Sequence, residues 1–401
     1  MKIEFISNKF DESQDEVYEL YKSYLDEKWD KSKLVQKLIK IRRKGKEFYR
    51  NQWVRLDYET KEGTLDKDTV NKIFEQASKK WAKIEKKKKW NSEEEKKSEY
   101  DKFKVNNILK PVGRIIMDDF EKKVKMSKLP KSEEFDKEKQ DIQNEIKEIK
   151  EKSKNEGLGY TESVKMLSPI FDKLTDHEKR REEANKATVN YIKNSLSTVR
   201  ELGSDKALEK RVFSTKKSPA LQLMHEALSS LPTDWIKASA DKGTVSVRCS
   251  TNQRGRYRYS MNAHTGEVDN NGEIIVDKDV ATNIHEFTHR IEHSCQDVKD
   301  MEKAFFEDRT KGEQAVSLRK LTGLNYGPYE FAKKDNFIEP YMGKDYAEKY
   351  KYVGSKMPKG GVSYEISSMG LEYLFTKPEK MLKDKDMSAF LLGLLAVAGK
   401  K

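Results

Sequence analysis

Ile284-His285-Glu286-Phe287-Thr288-His289-Arg290-Ile291-Glu292-His293 places three of the chain's six histidines within nine residues and contains the pattern HExxH. On a helix, His285 and His289 stand one turn apart on the same face, the spacing that lets two imidazoles reach one metal ion. Glu286 projects beside them. A carboxylate there can take a proton from a water that the ion has acidified and later pass it to a leaving amine. Val280, Ile284, Phe287 and Ile291 recur at i, i+4, i+7 and i+11, an apolar stripe nearly opposite the histidines. The pattern predicts a helix docked on a core by one face and open to a cleft by the other, with Asp277 or Asp279 capping its start.

Immediately upstream, Thr244 to Cys249, Arg256 to Met261 and Glu273 to Val276 read as strands separated by Asn, Gly and Asp turns. A small sheet that delivers the chain to a histidine-bearing helix suits a peptidase cleft, because an edge strand can pair with an extended peptide. His264 falls in the turn Asn262-Ala263-His264-Thr265-Gly266 and reads as a loop residue. Before the sheet, Ser218-Pro219 opens a helix through Leu221, Met224, His225 and Leu228 that stops at Leu231-Pro232, with His225 a packing histidine.

Catalytic zinc takes three protein ligands and leaves one position open, so a third ligand is needed. The extended pattern HExxHxxGxxH is excluded, since Glu292 stands at its glycine position and Cys295 at its last histidine. Glu292 and His293 then read as residues behind the ligands or in the cleft. Asp308, nineteen residues after His289, is one candidate. Another is the stretch Tyr364 to Phe375, where Glu365, Met369 and Glu372 share a helix face and Gly360-Gly361 upstream permits a sharp turn. On spacing alone, Asp308, Glu365 and Glu372 are left open.

Glu365 followed by Ser368 resembles the Glu-x-x-Ser segment that carries the third ligand in thermolysin-like gluzincins. Met369 departs from that pattern, because an aspartate that orients a ligand histidine stands there in the family. Together with Arg309-Thr310-Lys311-Gly312-Glu313 and Asp335 to Tyr346, the Glu365 to Glu372 segment resembles the zincin-like domain found in phage and integrated-element proteins, sometimes joined to head-morphogenesis proteins. That resemblance spans roughly residues 210 to 380 and implies that the Glu365 segment closes the metal site. Zincins also steady the oxyanion with a tyrosine or histidine outside the helix. Tyr326, Tyr329, Tyr341 and Tyr346 lie between the two segments, and Tyr341 and Tyr346 are the candidates.

Residues 1 to 204 differ in texture, with only six of the twenty glycines and apolar residues at helical spacing. Val17, Leu20, Tyr21 and Tyr24, then Leu34, Leu38 and Ile41, predict two short helices, and Val70, Ile73 and Phe74 a third. Phe135, Ile142, Ile146 and Ile149 predict a two-heptad helix that ends before Gly157-Leu158-Gly159. The block Trp81 to Trp90 sets lysines between tryptophans, so this half is also a candidate nucleic-acid binder. Gly203-Ser204-Asp205 is the expected junction between a charged helical domain, 1–204, and a zincin-like domain, 205–401.

The 401 residues are 37% charged and 35% hydrophobic, with 81 Lys plus Arg against 69 Asp plus Glu and a net charge of +12. That balance permits a polyanionic partner without requiring one. Two cysteines, Cys249 and Cys295, fit a reducing compartment. The start, Met1-Lys2-Ile3-Glu4-Phe5-Ile6, lacks the apolar run of a signal peptide, and Ala389 to Ala398 is about half the length needed to span a bilayer. The expectation is an α+β chain without a membrane span, cytoplasmic or virion-associated. Its expected activity is that of a zinc-dependent endopeptidase acting on protein or peptide, with Zn²⁺ on His285, His289 and Glu365 and Glu286 as base. Two alternatives are a phage structural protein on a zincin-like scaffold, partnered by other phage structural proteins, and a nucleic-acid binder.

Overall fold

The computed structural model describes residues 65–123, 132–216, 219–249, 255–262, 264–276 and 280–399, which are mostly helical with a small sheet, an α+β arrangement. The expected helices at Val17 to Tyr24 and Leu34 to Ile41, and the caps Ser218, Asp277 and Asp279, lie outside these residues. All described residues belong to one compact unit, 61–401.

Helix α1 (Lys67–Lys87) starts at Asp66, whose carboxylate accepts the Thr69 N–H at 2.6 Å. Helix α2 (Glu93–Lys104) starts at Ser92 and passes through a π-helical turn, Val105–Leu109, into α3 (Lys110–Lys123). Trp81 lies 5.7 Å from Trp90, 4.8 Å from Tyr100 and 5.3 Å from Phe103, ring centre to ring centre. The tryptophans of the lysine block therefore pack α1 against α2. Helices α4 (Ser132–Asn155) and α5 (Tyr160–Ser197) form a hairpin about the Gly157-Leu158-Gly159 break. Of the apolar row predicted there, Ile142 is buried and Phe135 meets His177 edge-on at 5.6 Å. Arg181 on α5 is buried and binds Glu379 at 2.6 Å.

The chain continues through α6 (Lys206–Val212), α7 (Pro219–Leu228) and α8 (Thr233–Lys242) into β1 (Val245–Cys249), β2 (Arg256–Arg258) and β3 (Gly272–Val276). Strand order is β1-β3-β2. β3 runs parallel to β1, with Val247 opposite Ile274, and antiparallel to β2, with Tyr257 opposite Ile274. As the central strand it is buried along Ile274, Ile275 and Val276. β2 is shorter than expected, because Met261 makes only an isolated bridge to Val268. Next come α9 (Val280–Ser294) and α10 (Gln296–Arg309), then β4 (Val316–Ser317), α11 (Leu318–Thr322) and β5 (Phe331–Ala332). The chain then forms α12 (Tyr346–Val353), α13 (Ile366–Thr376), α14 (Pro378–Met381) and α15 (Lys385–Val397).

Every residue of α15 from Met387 to Val397 is buried, and its principal neighbour is α3. Each fully buried leucine or phenylalanine contributes about 1.5–3 kcal/mol, so this contact is a major part of the core. Two glycines bring the backbones together. A Cβ on Gly113 would meet Ala389 O at 1.9 Å, and one on Gly393 would meet Leu109 O at 2.0 Å. Arg200, just after α5, donates to Leu395 O at 2.8 Å and Ala398 O at 2.6 Å, satisfying carbonyls at the end of α15.

Contacts run across the expected division at Gly203-Ser204-Asp205, and the described residues on both sides of it fall in one compact unit. That segment is a short connection between helices, while the helices of 65–204 close the core on the C-terminal helix. The composition changes there because the sheet begins soon afterwards, and packing continues across it.

Candidate metal centre

Helix α9 lies between the sheet, α7 and α8 on one side and α13 on the other. Ile284, Phe287 and Ile291 are buried as their stripe predicts, and the Phe287 ring sits 6.0 Å from Phe213. Arg290, fully buried, fixes the helix rotation. Its guanidinium donates to Ser239 Oγ at 3.0 Å, Ser239 O at 2.9 Å, Gly243 O at 2.8 Å and Asn270 O at 2.7 Å. A buried cation needs such a full set of acceptors, and these lie on α8 at Ser239 and on the turns preceding β1 and β3 at Gly243 and Asn270.

On the opposite face, His285 Nε2 and His289 Nε2 approach the same oxygen, Glu365 Oε2, at 3.3 and 3.4 Å. Glu365 stands at the start of α13 and is 1% exposed. Among the described residues these three offer ligand atoms within 4.8 Å of one another. The other two candidates for the third position lie elsewhere. Asp308 Oδ2 accepts a hydrogen bond from exposed Asn106 at 3.1 Å. Glu372 turns to the back of His285, its Oε2 3.1 Å from Nδ1.

Each imidazole is thus backed by a carboxylate. Glu372 holds His285 Nδ1, and Glu292 Oε2 holds His289 Nδ1 at 3.3 Å. Such partners fix the tautomer that leaves Nε2 free for a ligand bond. Glu372 supplies the carboxylate contact to His285 Nδ1 that the thioether of Met369 cannot. Tyr346 donates its hydroxyl to the second oxygen of Glu365 at 2.5 Å, and Ser368 Oγ donates to Oε2 at 3.0 Å. The Tyr346 hydroxyl is therefore placed on a candidate ligand, rather than free over the cleft as an oxyanion donor would be. The Tyr341 hydroxyl accepts from Lys344 Nζ at 2.6 Å, so Tyr341 is likewise engaged in a contact of its own.

Glu286 lies beside the histidines with its carboxylate buried, and Oε2 accepts the Tyr257 N–H from edge strand β2. Burial raises its pKa above the ordinary range against the pull of both histidines. His293 is turned from the centre and meets the Tyr257 hydroxyl at 2.6 Å. Burial, then Arg290, Lys242 and Lys299, push its pKa down to about 4. His225 pairs with Glu209, and His264 stays in its turn, its N–H bonded to Asn262 Oδ1 at 2.9 Å.

The electrostatics favour positive charge at the convergence point. Burial opposes a charge on His285, but its bonds to Glu365 and Glu372 raise its pKa to about 9. Burial also opposes charge on His289, yet Glu292 and Glu365 hold it well above its ordinary value. Glu365 is pushed up by burial and pulled well below the ordinary carboxylate range by the two imidazoles. The donor set suits zinc, with two imidazole nitrogens and one carboxylate oxygen. Ligand atoms about 2.0–2.1 Å from a tetrahedral zinc lie about 3.3–3.4 Å apart, matching the two nitrogen–oxygen separations found here.

Glu292 was legible in the sequence as the residue three places beyond His289. The roles of Tyr257, Arg290 and Glu372 had no such signal, because their partners are distant in the chain. No family model, curated protein or solved structure matches this chain.

Proposed function

We propose that the chain is a zinc-dependent endopeptidase with a zincin-like centre held by His285, His289 and Glu365. The observation that carries this reading is the approach of both Nε2 atoms to one Glu365 oxygen, at 3.3 and 3.4 Å, with Glu286 alongside. When bound there, zinc lowers the pKa of a coordinated water towards neutrality and polarises a carbonyl group.

The chain's own groups supply the rest. Glu286, buried and with raised proton affinity, takes a proton from the attacking water and delivers it to the leaving amine. The Tyr257 N–H holds Oε2 and leaves Oε1 for that exchange. Strand β2 is the edge of the sheet beside Glu286, so an extended peptide paired with it lies next to the base. Glu372, Glu292 and Tyr346 hold the candidate ligands in orientation.

The substrate class is protein or peptide, and the phage or mobile-element setting follows from the resemblance in residues 210 to 380. The test compares zinc-loaded wild type with Glu286→Gln on an unstructured polypeptide and a peptide library. Cleavage by wild type that falls about 10²–10⁴-fold in Glu286→Gln, with zinc content unchanged, is the expected result. Zinc-loaded wild type that cleaves nothing would leave a metal-holding scaffold and overturn the peptidase reading.

A further inference from the structure

Glu365 occupies the position that normally caps a helix, but its side chain makes no capping bond to α13. Its carboxylate is committed to the two histidines, Tyr346 and Ser368. The first amides of α13 still need acceptors, because helix starts leave four N–H groups without intrahelical partners. The Ser367 N–H, two residues past Glu365, donates at 2.7 Å to Glu302 Oε1 on α10.

Glu302 belongs to a row. Gln296, Lys299 and Glu302 recur every three residues on α10 and so share a face. All three grip the segment that delivers Glu365. Gln296 Nε2 donates to Gly360 O at 3.4 Å, Lys299 Nζ to Gly361 O at 2.7 Å, and Glu302 accepts from Ser367. Gly360 and Gly361 have φ of 87° and 83°, so the bend into the segment uses left-handed backbone at both positions. Lys299 is 7% exposed and Glu302 is fully buried. The Glu302 contact is therefore shielded from water, whereas Gln296, Gly360 and Gly361 on the incoming side are exposed. Glu302 also feels the charge of Glu292, the carboxylate behind His289, which places it between the supports of two candidate ligands.

We propose that Glu302 is a positioning residue for the metal centre. It caps α13 from a neighbouring helix so that Glu365 is free to serve as a ligand, and Lys299 fixes the incoming loop. This inference rests on the reading of His285, His289 and Glu365 as a zinc site.

The test measures zinc affinity by chelator competition, together with the visible spectrum of the Co²⁺-substituted protein. It uses the full chain carrying Glu302→Met, which conserves length without an acceptor, and Glu302→Gln, whose amide oxygen can accept the Ser367 N–H. The expected result is an affinity about 10–100-fold weaker and a shifted Co²⁺ spectrum in Glu302→Met, both restored in Glu302→Gln. Should Glu302→Met not fold, Lys299→Met removes the tie to Gly361 and is read in the same way. Wild type that binds one ion, with folded Glu302→Met equal to it in affinity and spectrum, overturns this inference alone. A purely packing role would give that result with a lowered melting temperature. Wild type that takes up no metal overturns the centre and this inference with it.

Discussion

Replacing Glu365 by glutamine keeps the side chain's size and removes the only anionic donor of the triad. The group is 1% exposed and faces two imidazoles at 3.3 and 3.4 Å. Taking one partner from such a buried charged set costs about 3–5 kcal/mol. At about 1.4 kcal/mol per decade, zinc affinity falls about 10²–10⁴-fold in Glu365→Gln. Glu372 acts only through His285 Nδ1, so Glu372→Gln costs about 10–100-fold. Asp308 is bonded to Asn106 away from the histidines, so Asp308→Asn keeps wild-type affinity. Chelator competition at neutral pH, with elemental analysis after dialysis, ranks the three variants. Glu365→Gln with wild-type affinity, alongside an emptied Glu372→Gln or Asp308→Asn, would refute the ligand assignment.

Gly113→Ala places a Cβ 1.9 Å from Ala389 O and forces α3 from α15, whereas Gly159→Ala meets nothing nearer than 4.0 Å. Urea unfolding should show a loss of about 1–3 kcal/mol in the first and little change in the second. A chain cut to residues 205–401 exposes the apolar face of α15 that α3 covers, and should be aggregated or unfolded by circular dichroism; a cooperatively melting fragment would restore the division at 204. His293 has its folded pKa lowered from 6.5 to about 4, first by burial. Its neutral form thus contributes stability above pH 6.5 that is lost as pH falls towards 4. Metal-free wild type should therefore lose more stability across that window than metal-free His293→Gln; parallel losses would remove His293 as the cause.

The Glu-x-x-Ser segment coincides with the residue that reaches the histidines, while the tyrosines between the segments are engaged in contacts of their own. Tyr346 is a candidate in the sequence because it lies between the HExxH helix and the Glu365 segment. Its hydroxyl contact shows a supporting position that spacing could not distinguish from an oxyanion donor.

The sequence by itself determined the local elements and the two histidines. A period of 3.6 residues fixes which side chains share a face, so His285, His289, Glu292 and the buried stripe of α9 followed from spacing alone. The apolar C-terminal stretch, Ala389 to Ala398, was legible as a packed helix because it is too short to span a bilayer. Tertiary structure decided what spacing cannot encode. Glu365 and Glu372 lie one above the other on the same face, and only the docking of α13 on α9 sends Glu365 to both Nε2 atoms and Glu372 to the back of one ring. The covering of α15 by α3 likewise joins residues more than 270 positions apart, as between Gly113 and Ala389. Such pairings depend on helix docking, where rotation and close approach of backbones select partners, and a helix's own periodicity holds no record of its neighbour.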